Sequence, residues 1–219
     1  MRLVIFDMDG TLIDSVALIV ETVNATFDEV GVPRPGVPAI RAISGLSVPI
    51  AFQQMAPDAD EPTRKRLADA YYRQYAARAG QAREPMFMGA MAALDRLRGR
   101  PDTILAVATG KGYRGAVALL DAHGILAHFD SVQTPDHNHS KPDPQMILTA
   151  MSKAGALPSR TAMIGDTRHD MAMARAAGVA AIGVAWGYHP EVDLRAAGAD
   201  IVIDRFDELD AALDQLLGP

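Results

Sequence analysis

The chain has no cysteine, which excludes disulfides, thiolate metal sites and cysteine nucleophiles and leaves oxygen or imidazole ligands for any metal. It has no Lys/Arg block long enough to follow a phosphate backbone, and its formal net charge is −6, so nucleic acid is not an expected partner. No apolar stretch reaches membrane-spanning length, and no membrane partner is expected. The first apolar run begins at Leu3, leaving no room for a signal peptide, so a cytoplasmic location is expected. Internal repeats and low-complexity tracts are also missing. What remains is an ordinary globular composition, 49% apolar over 219 residues, enough for one large domain or a domain with an insertion.

The most informative stretch is at the start, where Leu3-Val4-Ile5-Phe6 delivers Asp7 and Asp9 into Gly10-Thr11. An unbroken apolar run of this kind reads as a strand buried on both faces, as in parallel sheets. Period-2 geometry sends Asp7 and Asp9 to the same side while the strand lasts, and Gly10 lets the backbone turn away. Two like charges sharing a small site cost energy unless a cation or a shared proton relieves them. The structural alternative is a plain Asp-Gly turn.

Ser15 reads as a helix cap, followed by a helical apolar face of Val16, Ile19, Val20, Val23, Phe27 and Val30 that ends at Gly31 and Pro33. The proline-rich stretch from Pro33 to Pro62 predicts two short helices, near 38–43 and 48–55, broken at Ser44-Gly45. A longer helix is predicted from Thr63 to about Ala79, closing on Gly80, and residues 15–82 carry no strand signal. Beyond residue 86, apolar runs at 103–108, 161–164, 179–184 and 201–203 alternate with helices predicted at 89–98, 113–122, 144–154, 168–177 and 206–217. Strand alternating with helix predicts an α/β fold, a Rossmann-like doubly wound parallel sheet. Its core would be residues 1–14 and 83–219, with an all-helical cap inserted as residues 15–82.

Open α/β sheets bind ligands beyond the carboxyl ends of their strands, and polar groups follow the apolar runs there. The run 104–108 stops at Thr109-Gly110-Lys111-Gly112, a hydroxyl and flexible backbone N–H groups suited to an anion. The run 162–164 stops at Gly165-Asp166, with Asp170 a helical turn later. Ser140-Lys141-Pro142-Asp143-Pro144 sets one lysine on a proline-stiffened loop before a helix. Each has a bland alternative: a helix-start turn, a solvated lysine, acids favoured near a helix N-terminus. Together they form carboxylates, an anion cradle and a lysine at one sheet edge.

The ordered motifs DMDGT (Asp7 to Thr11), TGK (Thr109 to Lys111), KPDP (Lys141 to Pro144) and GDTRHD (Gly165 to Asp170) resemble the haloacid dehalogenase superfamily, in particular its phosphoglycolate-phosphatase-like branch with a helical cap. The resemblance implies an α/β core and a Mg²⁺-dependent phosphatase that hydrolyses a small phosphorylated metabolite, a phosphoglycolate-like phosphomonoester, through an aspartyl-phosphate. It implies Asp7 as the nucleophile and Asp9 as the proton donor and acceptor. It implies Mg²⁺ held by Asp7, Asp166 and the main-chain carbonyl of Asp9, with Asp170 as a further ligand or an orienting group. Thr109, the Gly110 N–H and Lys141 would hold the phosphoryl oxygens. An acid at position 9 disfavours the dehalogenating and phosphonate-cleaving branches. Gly110 departs from the family pattern, since many phosphoglycolate phosphatases have Asn there, and this separates reaction type from substrate identity.

The same resemblance leaves open a sugar phosphomutase, a pyrophosphatase or a catalytically silent phosphate-binding regulator. Arg41, Ser44 and Gly45 lie in the cap stretch expected to select the leaving group; for Arg41 a solvated surface role is the alternative. His137 and His139 read as a polar loop and not a second metal site. Met163, Met171 and Met173 read as adaptable core filler, and Trp186 and Tyr188 as packing near the site rim. The chain is expected to be a monomer or a homodimer.

Overall fold

In the computed structural model, which describes residues 1–79 and 84–218, the opening run forms β1 (Arg2–Phe6) and every residue of it is buried. Its side chains divide by parity: Val4 and Phe6 enter one hydrophobic cluster, Leu3 and Ile5 the other. That is the two-sided burial an unbroken apolar strand requires, each such side chain contributing roughly 1.5–3 kcal/mol when fully buried. The chain then leaves the sheet for four helices, α1 (Val16–Val30), α2 (Val37–Ala42), α3 (Val48–Met55) and α4 (Glu61–Ala76). Ile19, Val23, Phe27, Ile40, Phe52 and Leu67 give them a core of their own, joined by Tyr188 from outside the segment.

The chain re-enters the sheet layer through α5 (Ala90–Arg98), β2 (Thr103–Ala108), α6 (Tyr113–Ala122) and β3 (Ser131–Gln133). It continues through α7 (Gln145–Ala154), β4 (Thr161–Gly165), α8 (Arg168–Ala177), β5 (Ala180–Val184), α9 (Glu191–Ala196), β6 (Ile201–Ile203) and α10 (Leu209–Leu217). The six strands pair in the order β3-β2-β1-β4-β5-β6, all parallel. Helices α5, α6 and α10 bury their apolar faces on one side of the sheet, and α7, α8 and α9 on the other. The result is a doubly wound α/β sheet whose strand order reverses beside β1, where such folds open their ligand crevice.

Several expectations shift in detail. β3 and α9 were not foreseen: β3 is three residues long and carries Ser131 and Gln133, and α9 spans only six, both too short for periodicity to register. Helix α4 starts at Glu61, ahead of Pro62, because Asp60 accepts the Thr63 N–H at 2.9 Å and proline is well placed in a first turn. Its predicted close at Gly80, and the boundary drawn at 82/83, lie outside the described residues. Ser15 occupies the N-cap position of α1 but its side chain makes no cap hydrogen bond; its hydroxyl instead lies 3.2 Å from the Tyr188 hydroxyl. Met146, Met163, Met171 and Met173 are buried core residues on the α7–α8 face. No helix among the described residues is long and apolar enough to cross a membrane.

Candidate active site

β1 ends at Phe6, so Asp7 is the first residue past the sheet, still held by its N–H donating to the Ile164 carbonyl at 2.9 Å. Gly10 has φ +85°, the left-handed conformation that favours glycine. A side chain there would strike the Asp166 carboxylate and the Tyr188 ring, so the turn needs glycine for both reasons. β4 delivers Asp166, and Thr167 caps α8 by accepting the Asp170 N–H at 3.3 Å while Asp170 Oδ2 accepts from the Thr167 N–H at 3.1 Å and from its hydroxyl at 2.6 Å. This reciprocal capping box fixes the Asp170 carboxylate. Asp7, Asp166 and Asp170 are all buried, and each has an oxygen within 4.8 Å of one from the other two.

Lys141, in the loop between β3 and α7, reaches this cluster with its ammonium buried. Nζ donates to Asp170 Oδ1 at 2.6 Å and lies 2.9 Å from Asp7 Oδ1. The solvated-lysine alternative is therefore wrong. Asp166 is also fully engaged, Oδ1 accepting from the Thr11 hydroxyl at 2.9 Å and Oδ2 from the Tyr188 N–H at 2.8 Å. Asp7 is the exception: although buried, its Oδ1 is held only by the Lys141 ion pair and its Oδ2 has no partner. An oxygen left this way is costly in a folded protein unless it is kept for something that binds.

The electrostatics agree. Burial, reinforced by Asp170 and Asp9 and only partly offset by Lys141, pushes the Asp7 carboxyl up to about 7. Burial and the neighbouring Asp7 and Asp170 likewise hold Asp166 well above the usual carboxylate range. Lys141 is buried too, which opposes its charge, but Asp170 and Asp7 outweigh that and keep it protonated far above neutrality. The cluster is short of positive charge, and oxygen donors this close fit a hard divalent cation such as Mg²⁺.

A cavity of about 510 Å³ opens directly above Asp7 and Asp9. Thr109, Gly110 and Lys111 line it from the end of β2, and Ser44 and Gly45 from the segment between α2 and α3. Asp9 faces it with Oδ2 3.3 Å from Lys111 Nζ, and Asp9 Oδ1 accepts no hydrogen bond. Gly110 is packed so tightly against the 45–46 backbone that a Cβ would collide with the carbonyl oxygens of Gly45 and Leu46, the latter 2.7 Å away. The departure from the family pattern at this position thus has a steric reason.

Arg41 is not brought to the cavity. It is exposed and contributes its main-chain carbonyl, which receives His189 Nε2 at 3.2 Å. His137 and His139 are exposed, His139 pairing with Asp143 at 3.1 Å. Trp186 packs 4.6 Å from Phe206 between ring centroids and donates to the Thr11 carbonyl at 3.1 Å.

Sequence reasoning missed a second basic group. Lys111 Nζ donates to the Tyr75 hydroxyl at 2.7 Å, and that hydroxyl donates to the buried carboxylate of Glu84. Burial opposes the Lys111 charge, but Asp9, Tyr71 and Glu84 raise its pKa. Lys111, Thr11 and Thr167 all sit inside the motifs already quoted. Tyr75 is spaced one helical turn from Tyr71, a signal of a shared face but not of a partner. Nothing local marks Glu84.

The chain matches the family described as haloacid dehalogenase-like hydrolase over residues 4–184. It is 42% identical to "Probable phosphatase IndB" of Dickeya dadantii, covering 98% of this chain and 94% of that protein. It is 33% identical to a phosphoglycolate phosphatase of Agrobacterium fabrum, covering 98% and 93%, and 32% identical to an N-acetylmuramic acid 6-phosphate phosphatase of Pseudomonas putida, covering 99% and 98%. The crystal structure of a hydrolase from Pseudomonas syringae superposes with a TM-score of 0.88 at 27% identity, covering 99% of each chain.

Proposed function

The chain belongs to the haloacid dehalogenase-like hydrolases, and from that premise we propose that it is a Mg²⁺-dependent phosphatase that hydrolyses a small phosphomonoester through a phosphoenzyme on Asp7. The observation that carries this is the Asp7 carboxylate, buried among engaged neighbours with Oδ1 held only by the Lys141 ion pair and Oδ2 without a partner. A carboxylate so placed is free to attack phosphorus with one oxygen and to ligate a cation with the other.

Asp7 forms a bond to phosphorus as the ester P–O bond breaks, and the bond pair leaves with the ester oxygen. Asp9, protonated for this half, gives that oxygen its proton and releases the alcohol. In the second half the Asp9 carboxylate takes a proton from water as that water attacks phosphorus, the Asp7–phosphorus bond breaks, and free phosphate and the Asp7 carboxylate are restored. Thr109, the Gly110 N–H and Lys141 hold the phosphoryl oxygens as their charge redistributes. Asp7, Asp166 and the Asp9 main-chain carbonyl would hold Mg²⁺, which supplies positive charge to the phosphoryl oxygens and to Asp7. Asp170, with Oδ1 bonded to Lys141 and Oδ2 to Thr167, has the bonding of an orienting group, positioning Lys141 beside Asp7.

We take residues 15–82 as a cap over a core of residues 1–14 and 83–219. The roof of the cavity comes from that segment and the reacting groups from the core, and the relatives are named as phosphatases of different phosphate esters. The test is phosphate release from a panel of phosphomonoesters with Mg²⁺. The wild-type protein should turn over and be silenced by a chelator, and Asp7→Asn should lose more than the roughly 10²–10⁴-fold that general acid–base catalysis supplies. Equal phosphate release by Asp7→Asn and wild type would sink the proposal, and isomerised sugar phosphate without free phosphate would turn it into a mutase.

A further inference from the structure

Above the phosphate cradle, the cavity wall is apolar. Ile19 and Val23 come from α1, Val48, Phe52 and Met55 from α3, and Tyr71 from α4. The rings are organised: Phe52 lies edge-on to Tyr71 at 5.8 Å, and Tyr71 stacks on Tyr75 at 5.9 Å and 28°. The polar groups of the wall are already engaged. The Ser44 hydroxyl donates to the Ile40 carbonyl at 3.3 Å. The Tyr75 hydroxyl serves Glu84 and Lys111, Lys111 serves Asp9, and Asp136 accepts the Tyr113 N–H at 2.7 Å. The Tyr71 and Tyr72 hydroxyls and Arg114 are the other polar groups on the lining, and Tyr72 and Arg114 are exposed at the mouth, where a charge is well screened.

A leaving group placed here exchanges water for hydrocarbon and aromatic faces. A carboxylate or a ring of hydroxyls would give up its hydration with few partners in return, a loss of roughly 5- to 150-fold in affinity for each buried group left unpaired. A two-carbon acid such as glycolate would also leave most of the 510 Å³ unfilled. Resting on the phosphatase reading above, we infer that the enzyme selects phosphomonoesters of an uncharged, predominantly apolar alcohol, aliphatic or aromatic, which seats its hydrocarbon against Phe52 and the Tyr71–Tyr75 pair.

Binding of unhydrolysable phosphonates tests this without depending on turnover. Calorimetry in Mg²⁺ compares methyl-, butyl-, hexyl- and benzylphosphonate with the carboxylate-bearing phosphonoacetate. Kd should fall by up to roughly fourfold for each methylene buried, and hexyl- and benzylphosphonate should bind more tightly than phosphonoacetate. Val48→Lys puts a cation on the wall at a position that is only partly buried, and should flatten the alkyl series while improving phosphonoacetate; Met55→Lys serves the same purpose if the first variant does not fold. A flat alkyl series, or phosphonoacetate as the tightest ligand of the wild-type protein, overturns the inference. Turnover of p-nitrophenyl phosphate is followed in parallel: its absence would count against the phosphatase reading, while the phosphonate series decides the wall chemistry.

Discussion

At the sheet edge, the buried carboxylates of Asp7, Asp166 and Asp170 bring oxygens within 4.8 Å of one another, and the buried Lys141 pairs with Asp7 and Asp170; across the same cavity, α1, α3 and α4 present side chains chosen for shape and hydrophobicity. The two walls face different problems. The first must hold charges where burial alone would neutralise them, so each position tolerates very few side chains. The second must enclose a volume, and many apolar residues can do so. Reaction type should therefore fail sharply when the edge is altered, and substrate choice should drift when the roof is altered.

The largest expected effect at the edge beyond Asp7 itself is on proton transfer. Asp9→Asn should lower kcat by roughly 10²–10⁴-fold, while binding of a phosphonate changes little. If kcat stays within a few-fold of wild type for an ester with a poor leaving group, Asp9 is not the proton donor and the roles assigned at the edge must be redrawn.

Next comes the buried cation. Lys141→Met removes the ammonium that lies between Asp7 and Asp170 and leaves two buried acids uncompensated, which costs about 3–5 kcal/mol when one partner of a buried pair is removed. For a chain of this size that corresponds to a fall of roughly 6–20 °C in Tm, and added Mg²⁺ should recover part of it by occupying the same carboxylates. An unchanged Tm would mean that the acids are stable without Lys141, and the contrast between the two walls would lose its energetic basis.

A smaller effect is expected where the walls touch. Gly110→Asn introduces a side chain against the Gly45 and Leu46 carbonyls, and overpacking of this kind costs typically about 1–3 kcal/mol. The 44–46 segment must lift, so Tm should fall and KM should rise more than kcat falls. Full stability and unchanged KM would show that the roof yields freely and that the glycine is not required by its approach.

The same contrast explains what was legible in the sequence. The edge residues come in short motifs at strand ends, where local chemistry and the strand-end rule for open sheets point to the same place, so Asp7, Thr109, Lys141 and Asp166 assemble from the sequence alone. The long helices and central strands were equally readable, because periodicity repeats over enough residues. β3 and α9 were not, being too short, and neither was the link from Lys111 through Tyr75 to Glu84, which joins three separate stretches of chain. Arg41 is the instructive case: it stands three residues from Ser44, which lines the cavity, but it lies on the exposed side of α2, and six residues of helix give too little pattern to say which way a side chain turns.

The smallest expected effect concerns how the two walls are held together at their far end. His169 from α8 and His189 beyond β5 direct Nε2 at the Ala42 and Arg41 carbonyls, each at 3.2 Å, with their rings 5.7 Å apart. His189 Nδ1 accepts the Arg168 N–H at 3.1 Å, so Nε2 carries the proton and the neutral ring is the one that fits. Burial lowers both pKa values below 6.5, with the backbone carbonyls only partly offsetting it. Below pH 6.5 the unfolded chain therefore takes up protons that the folded chain resists, so stability declines as pH falls from 6.5 towards the folded pKa values and is unaffected by these groups above it. The raised Asp7 and Asp166 carboxyls act with the opposite sign in both proteins, so the histidines are read as a difference: in thermal melts from pH 5 to pH 8, His189→Gln, which keeps an N–H donor for Arg41 without a titrating ring, should lose less stability on acidification than the wild type. An identical slope in the variant would show that His189 does not carry the decline, which the Asp7 and Asp166 carboxyls do not supply either, since they favour the folded state as pH falls.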